Sequence, residues 1–80
     1  MKTEYKYLEF TQFADTGKTT KWNCHNKSSG TILGKIKWHP AWRRYCYFPI
    51  IHAVYDITCL NDISDFLEQL WQKKKMKTLN

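Results

Sequence analysis

Apolar and polar positions alternate through the first two thirds of the chain, and a spacing of three or four takes over in the last third. Residues 4–13, EYKYLEFTQF, set Tyr5, Tyr7 and Glu9 against Lys6, Leu8 and Phe10, the period-two pattern of a strand. Its weak polar contrast suits an edge or partly covered position. Ala14-Asp15-Thr16-Gly17-Lys18 is turn material. A second strand over residues 19–26 places Trp22 and Cys24 on one face and Lys21, Asn23 and His25 on the other. The stretch Asn26-Lys27-Ser28-Ser29-Gly30 then reads as a hairpin loop, with Gly30 suited to positive φ. The third strand, residues 31–38, puts Ile32, Gly34, Ile36 and Trp38 opposite Leu33, Lys35 and Lys37. His39-Pro40-Ala41-Trp42 turns the chain, because Pro40 fixes φ and drives His39 extended. The fourth strand, residues 43–48, sets Arg44, Cys46 and Phe48 against Arg43, Tyr45 and Tyr47, and Pro49 ends it. Residues 50–55 are apolar and fit either a short fifth strand or a buried connector.

From Ile57 the period becomes 3.6: Ile57, Leu60, Ile63, Leu67, Leu70 and Trp71 recur at three or four, and Phe66 widens the stripe. Asp56 or Thr58 can cap the start, and lysines crowd the end, complementing the macrodipole. The spacing predicts a helix over 58–74 with a frayed C-terminus. The fold class that follows is α+β: an antiparallel meander of three to five strands within residues 4–55, and one amphipathic helix packed on one sheet face. The inner face is then Trp22, Cys24, Ile32, Ile36, Cys46 and Phe48. The outer face carries Lys21, Asn23, His25, Lys35, Lys37, Arg43, Tyr45 and Tyr47. A one-residue slip in any strand reverses its contribution.

Eighty residues make one small domain, 1–80, and an aromatic fraction of 16% supplies the large side chains that a small core needs. No apolar run approaches the roughly 20 residues of a spanning helix, and the N-terminus MKTEYKYLEF lacks a signal-type apolar block, so a cytoplasmic protein is expected. The three cysteines are odd in number, widely spaced and without a CxxC, which suits free thiols packing as small hydrophobes.

The net charge of +6 changes the picture because it is unevenly placed. Residues 16–55 contain no Asp or Glu, yet they hold Lys18, Lys21, Lys27, Lys35, Lys37, Arg43 and Arg44. The positive field therefore belongs to the strands and favours a polyanionic partner. Lysines and arginines neutralise phosphates and exposed aromatics stack on bases. Lys21, His25, Lys35, Lys37 and Arg43 are accordingly the candidate contacts to nucleic acid, with Tyr45 and Tyr47 as stacking rings. The helix, whose exposed face carries Asp62, Asp65 and Glu68, is disfavoured as a DNA reader because phosphates repel those acids. The alternative partner is a bacterial protein, blocked or recruited through Trp42 and Arg43 at the Pro40 turn. Cys24, His25, His39, Cys46, His52 and Cys59 lack the close pairing of structural zinc sites, and there is no phosphate loop and no paired carboxylates. The expectation is a non-enzyme without metal or cofactor.

The run LGKIKWHPAWRRYCYFP, residues 33–49, followed by a helix beginning near Cys59, resembles a family of small uncharacterised bacteriophage and prophage proteins. Trp38, Trp42, Arg43, Tyr45 and Pro49 carry the resemblance, which covers about residues 20–72. It implies a phage gene product acting in a bacterial cytoplasm and brings no site residues with it. At the level of fold alone, strands followed by a C-terminal helix are also similar to the AP2-like arm-binding domain of tyrosine integrases, which reads DNA with its sheet.

Overall fold

The computed structural model describes residues 1–79, with side chains to Met76. Four strands, β1 (Leu8–Asp15), β2 (Thr20–Asn26), β3 (Ile32–His39) and β4 (Arg44–Pro49), precede one helix, α1 (Ile57–Leu79). The strands pair antiparallel in sequence order, β1-β2-β3-β4. The α+β meander with a C-terminal helix is thus the observed architecture.

Each connection follows from local chemistry. Between β1 and β2, Asp15 Oδ1 accepts from the Gly17 amide at 2.8 Å, and Gly17 takes φ 87°. Between β2 and β3, Asn26 Oδ1 accepts from the Ser28 and Ser29 amides at 3.0 and 3.1 Å, and Gly30 takes φ 76°. Between β3 and β4, the His39 carbonyl accepts from the Arg43 amide at 2.8 Å, a single helical turn that leaves Arg43 at φ 54°.

The core joins Leu8 and Phe10 of β1, Trp22 and Cys24 of β2 and Ile36 of β3 to Ile63, Phe66 and Leu70 of α1. Phe66 is its centre: it stacks on Phe10 at 4.1 Å between ring centroids and meets Trp22 edge-on at 5.0 Å. Tyr5, just before β1, completes the core and donates its hydroxyl hydrogen to Asp65 Oδ2 at 2.6 Å. Gln69 holds Lys2 through both backbone groups at 2.9 Å, so the N-terminal segment lies against the helix.

Several expectations are corrected. Of the two readings of residues 50–55, the structure takes the connector, which turns at His52, whose φ is 68°, and is exposed at Ile51 and Val54 where burial was expected. The first strand starts at Leu8, after a turn closed by the Tyr5 amide on the Leu8 carbonyl. The helix passes Lys74 and continues to Leu79; the last residue of the frayed end expected there, Asn80, lies outside the described residues. Asp56 is its cap, accepting from the Cys59 amide at 2.8 Å. The buried stripe runs through Cys59, Ile63, Phe66, Leu67 and Leu70, and Ile57 and Leu60 face solvent.

The most consequential correction concerns β4. The extra loop residue, Arg43 in its left-handed conformation, sets Arg44 opposite His39, Tyr45 opposite Trp38 and Tyr47 opposite Ile36. Ile36 is fully buried, so its ladder partner Tyr47 faces the helix, as does Tyr45, while Cys46 and Phe48 lie on the outer face with Lys37 and Lys35. Ile32 also leaves the inner set. A register shift beside Cys24 brings it opposite His25, and Leu33 packs against the core instead.

Candidate nucleic-acid interface

The sheet has two faces of different chemistry. The face toward α1 is apolar and phenolic. Tyr47 donates its hydroxyl hydrogen to Tyr55 Oη at 2.6 Å, and Tyr55 donates to the Leu33 carbonyl, also at 2.6 Å. Burial first, and then this hydrogen bond, hold the Tyr47 hydroxyl well above the ordinary phenol range. Tyr45 Oη accepts from the Thr20 amide at 3.1 Å, and its ring meets Trp38 edge-on at 5.3 Å. Both expected stacking rings are therefore committed to the inner layer. Cys24 lies beneath them, and burial pushes its thiol up to about 11. All three cysteines are free.

The opposite face is basic and aromatic. Lys35 and Lys37 project from the interior strand β3, and each ammonium lies over a phenyl ring: Lys35 over Phe13 at 4.8 Å, Lys37 over Phe48 at 4.6 Å. Phe13 keeps to this face by alternation from Phe10, and the β1–β2 register shift between Gln12 and Ala14 leaves it without a ladder partner. The ring is 46% exposed. Lys21 and His25 flank Asn23 on β2, as alternation from Trp22 and Cys24 requires. The His25 ring is fixed at both nitrogens, with Nε2 2.6 Å from Thr11 Oγ1 and Nδ1 3.3 Å from the Gly30 carbonyl. Since the carbonyl only accepts, the neutral ring carries its hydrogen on Nδ1 and takes the Thr11 hydroxyl hydrogen on Nε2. Glu9, opposite His25, is a carboxylate among these cations.

At the β3–β4 end the rings continue. His39 lies edge-on to Trp42 at 5.0 Å and to Phe48 at 6.0 Å. Trp42 is 70% exposed, and Arg43 beside it is exposed too. Arg44 turns away from the turn tip and stacks on Trp71 of the helix at 4.1 Å. Lys27 is tied to Glu4 at 3.3 Å. Of the expected contacts, then, Lys21, His25, Lys35 and Lys37 share one face, Arg43 sits at its rim, and Tyr45 and Tyr47 lie behind it. Phe13, exposed, and Phe48, half-buried, are the rings on the outer face. The outward place of Phe13, opposite in phase to Leu8 and Phe10, accords with the period-two pattern of residues 4–13.

Compared with known proteins, the chain is 35% identical over 71 residues to an uncharacterised 9.3 kDa protein of Acholeplasma phage L2, covering 88% of this chain and 91% of that protein. The chain belongs to this family of small phage proteins. No family model matches it, and no solved structure does. For this phage-family chain, no helix among the described residues is long and apolar enough to cross a membrane. Among the described residues no three His, Cys, Asp or Glu side chains gather as a metal site would require. A second exposed surface lies apart from the basic face. Ile51, Val54 and Ile57, at 81, 87 and 75% exposure, line the connector and the start of α1. Their apolar run is visible in the sequence, where it reads equally well as a buried connector.

Proposed function

We propose that this phage protein acts without catalysis, by binding nucleic acid on the outer face of its sheet in the cytoplasm of the host bacterium. The observation that carries the reading is the pairing of Lys35 and Lys37, side by side on an interior strand, with exposed Phe13 and half-buried Phe48 on the same outer face. Cations of this kind meet phosphate, and rings of this kind meet bases. Lys21 and Arg43 extend the positive field to β2 and the turn. The acidic residues of α1 belong to the other side of the sheet, so they do not oppose a polyanion there. An ammonium over an exposed ring gains only about 0.5–1 kcal/mol, so exchanging the ring for a phosphate costs little. The fold-level likeness to AP2-like domains points the same way by analogy.

The test is fluorescence anisotropy of labelled oligonucleotides at several salt concentrations. Binding in the micromolar range or tighter is expected, weakening steeply with salt, and Lys35→Glu with Lys37→Glu abolishes it. Absence of binding at low salt to any oligonucleotide refutes the proposal. A second reading, a bacterial protein held at the turn, is favoured by the exposure of Trp42. In that case Trp42→Ala abolishes capture of the partner and the lysine reversal leaves it intact.

A further inference from the structure

We infer that the outer face takes single-stranded nucleic acid and not duplex, with unstacked bases lying on Phe13 and Phe48 while Lys35 and Lys37 hold phosphates of the same strand. The inference rests on the nucleic-acid reading above and narrows it to one class of ligand.

Width is the first reason. Four strands about 4.8 Å apart make a face roughly 14 Å across before side chains are added. A major groove about 12 Å wide admits a helix or a two-stranded ribbon, and a flat four-stranded face is too broad to enter it. The other element that enters grooves, the helix, presents Asp62, Asp65 and Glu68 along its first half, which repel phosphate there.

The second reason is the placing of the rings. Phe13 lies on one edge strand and Phe48 on the other, with Lys35 opposite Phe48 in the ladder and its ammonium over Phe13. A ring on a flat face offers its π-surface to a base only when that base has left its own stack, which a duplex base has not. A strand running across the sheet from β1 to β4 meets ring, lysine and ring in turn. His39 and Trp42 continue the same path beyond Phe48.

The third reason is an orphan acceptor on that path. Thr11, Asn23, Lys35 and Phe48 form one row across the four strands. Asn23 Oδ1 in this row is shielded from solvent and has no hydrogen-bond partner. Such a group costs stability unless something satisfies it. When Lys35 exchanges the Phe13 ring for phosphate, the ring N–H of a thymine, uracil or guanine base supplies the missing donor, and pairing consumes that N–H in a duplex.

The experiment titrates the full chain with labelled oligo-dT, oligo-rU, a mixed-sequence single strand and the matching duplex, at equal salt. Four variants are measured: Phe13→Leu and Phe48→Leu, which keep apolar bulk without a π-face, the Lys35→Glu/Lys37→Glu pair, and Asn23→Leu. Circular dichroism checks that each is folded. Single strands are expected to bind at least tenfold tighter than duplex, and each leucine substitution at a ring weakens them about 5- to 100-fold while leaving duplex binding unchanged. The dT and rU arms separate DNA from RNA as the source of the strand. Asn23→Leu weakens oligo-dT and oligo-rU, whose free ring N–H the amide accepts, and leaves duplex binding unchanged; equal loss on duplex overturns this contact. Duplex binding as tight as single-strand binding, with Leu variants like the parent, overturns the inference and leaves the nucleic-acid reading standing. Loss of all binding at low salt removes both.

Discussion

Gly34 is the position where one methyl group has the largest calculable effect. It is buried on β3 opposite Cys24 and Pro49, and the Tyr47 ring lies directly over it. A Cβ at this position falls inside the contact radius of Tyr47 Cζ and Oη and 2.9 Å from the Phe48 carbonyl. The carbonyl belongs to the ladder and cannot retreat, so the ring must move. Overpacking of this kind costs about 1–3 kcal/mol. Displacing the ring also breaks the Tyr47–Tyr55 hydrogen bond, worth about 1 kcal/mol. A total near 3 kcal/mol is a large part of the roughly 4–12 kcal/mol expected of a domain this size. It corresponds to a Tm lower by about 12–24 °C. Urea denaturation of Gly34→Ala, Tyr47→Ala and the double variant isolates the pair. The double variant is expected to be more stable than additivity allows by more than about 1 kcal/mol, because removing the ring removes the clash. Alkaline absorbance titration supplies an independent readout. The Tyr47 hydroxyl, held high by burial and its bond to Tyr55, ionises only on unfolding in the parent and earlier in Gly34→Ala. A Gly34→Ala protein within about 0.5 kcal/mol of the parent, with additive behaviour in the cycle, refutes this account of β4.

Phe66→Ala removes the ring shared by Phe10 and Trp22 and is expected to cost about 3–5 kcal/mol in urea denaturation; a loss under about 1.5 kcal/mol contradicts its central place. Asp56 caps α1, and the hydrogen bond from the Cys59 amide holds its carboxylate below the usual range. A lowered folded pKa means the stabilisation is complete above the unfolded value of 3.8 and is lost as pH falls through the folded one. The Tm advantage of the parent over Asp56→Asn, which caps without titrating, should therefore shrink on acidification below about pH 4; a constant difference argues against the cap. Arg43→Gly relieves a left-handed non-glycine residue and is expected to hold or raise Tm while weakening oligonucleotide binding, and a fall in Tm shows that the arginine side chain supports the turn.

The meander and the helix were legible because their periods differ and because Asp15-Thr16-Gly17, Ser29-Gly30 and Pro40 mark the turns. The inner positions Trp22, Cys24 and Ile36 were legible too, since β2 and the centre of β3 oppose apolar to charged residues. What failed did so where that contrast is absent. On β4, Cys46 and Phe48 oppose Tyr45 and Tyr47, so both faces are apolar and hydropathy does not choose between them. The loop chose: with Arg43 in the turn the ladder starts at Arg44, so Tyr45 and Tyr47 turn inward and Cys46 and Phe48 outward. The helix stripe was misjudged at its start for a related reason. Ile57 and Leu60 fit the period as well as Cys59 does, and only the direction of the connector leaves them outside.

That exchange of faces bears on function. A strand apolar on both sides, placed at the edge of a sheet with a helix on one face only, must show one apolar set to solvent. The tyrosines go inward because each hydroxyl has a partner there: Thr20 for Tyr45, Tyr55 for Tyr47. Phenylalanine has no hydroxyl to satisfy and gains nothing from solvent. An outward Phe48 under Lys37, on the same face as the exposed Phe13 under Lys35, is therefore a cost that the fold alone does not require. A surface ligand that covers both rings and takes both ammonium groups offsets that cost, and a single nucleic-acid strand has the bases and phosphates to do both.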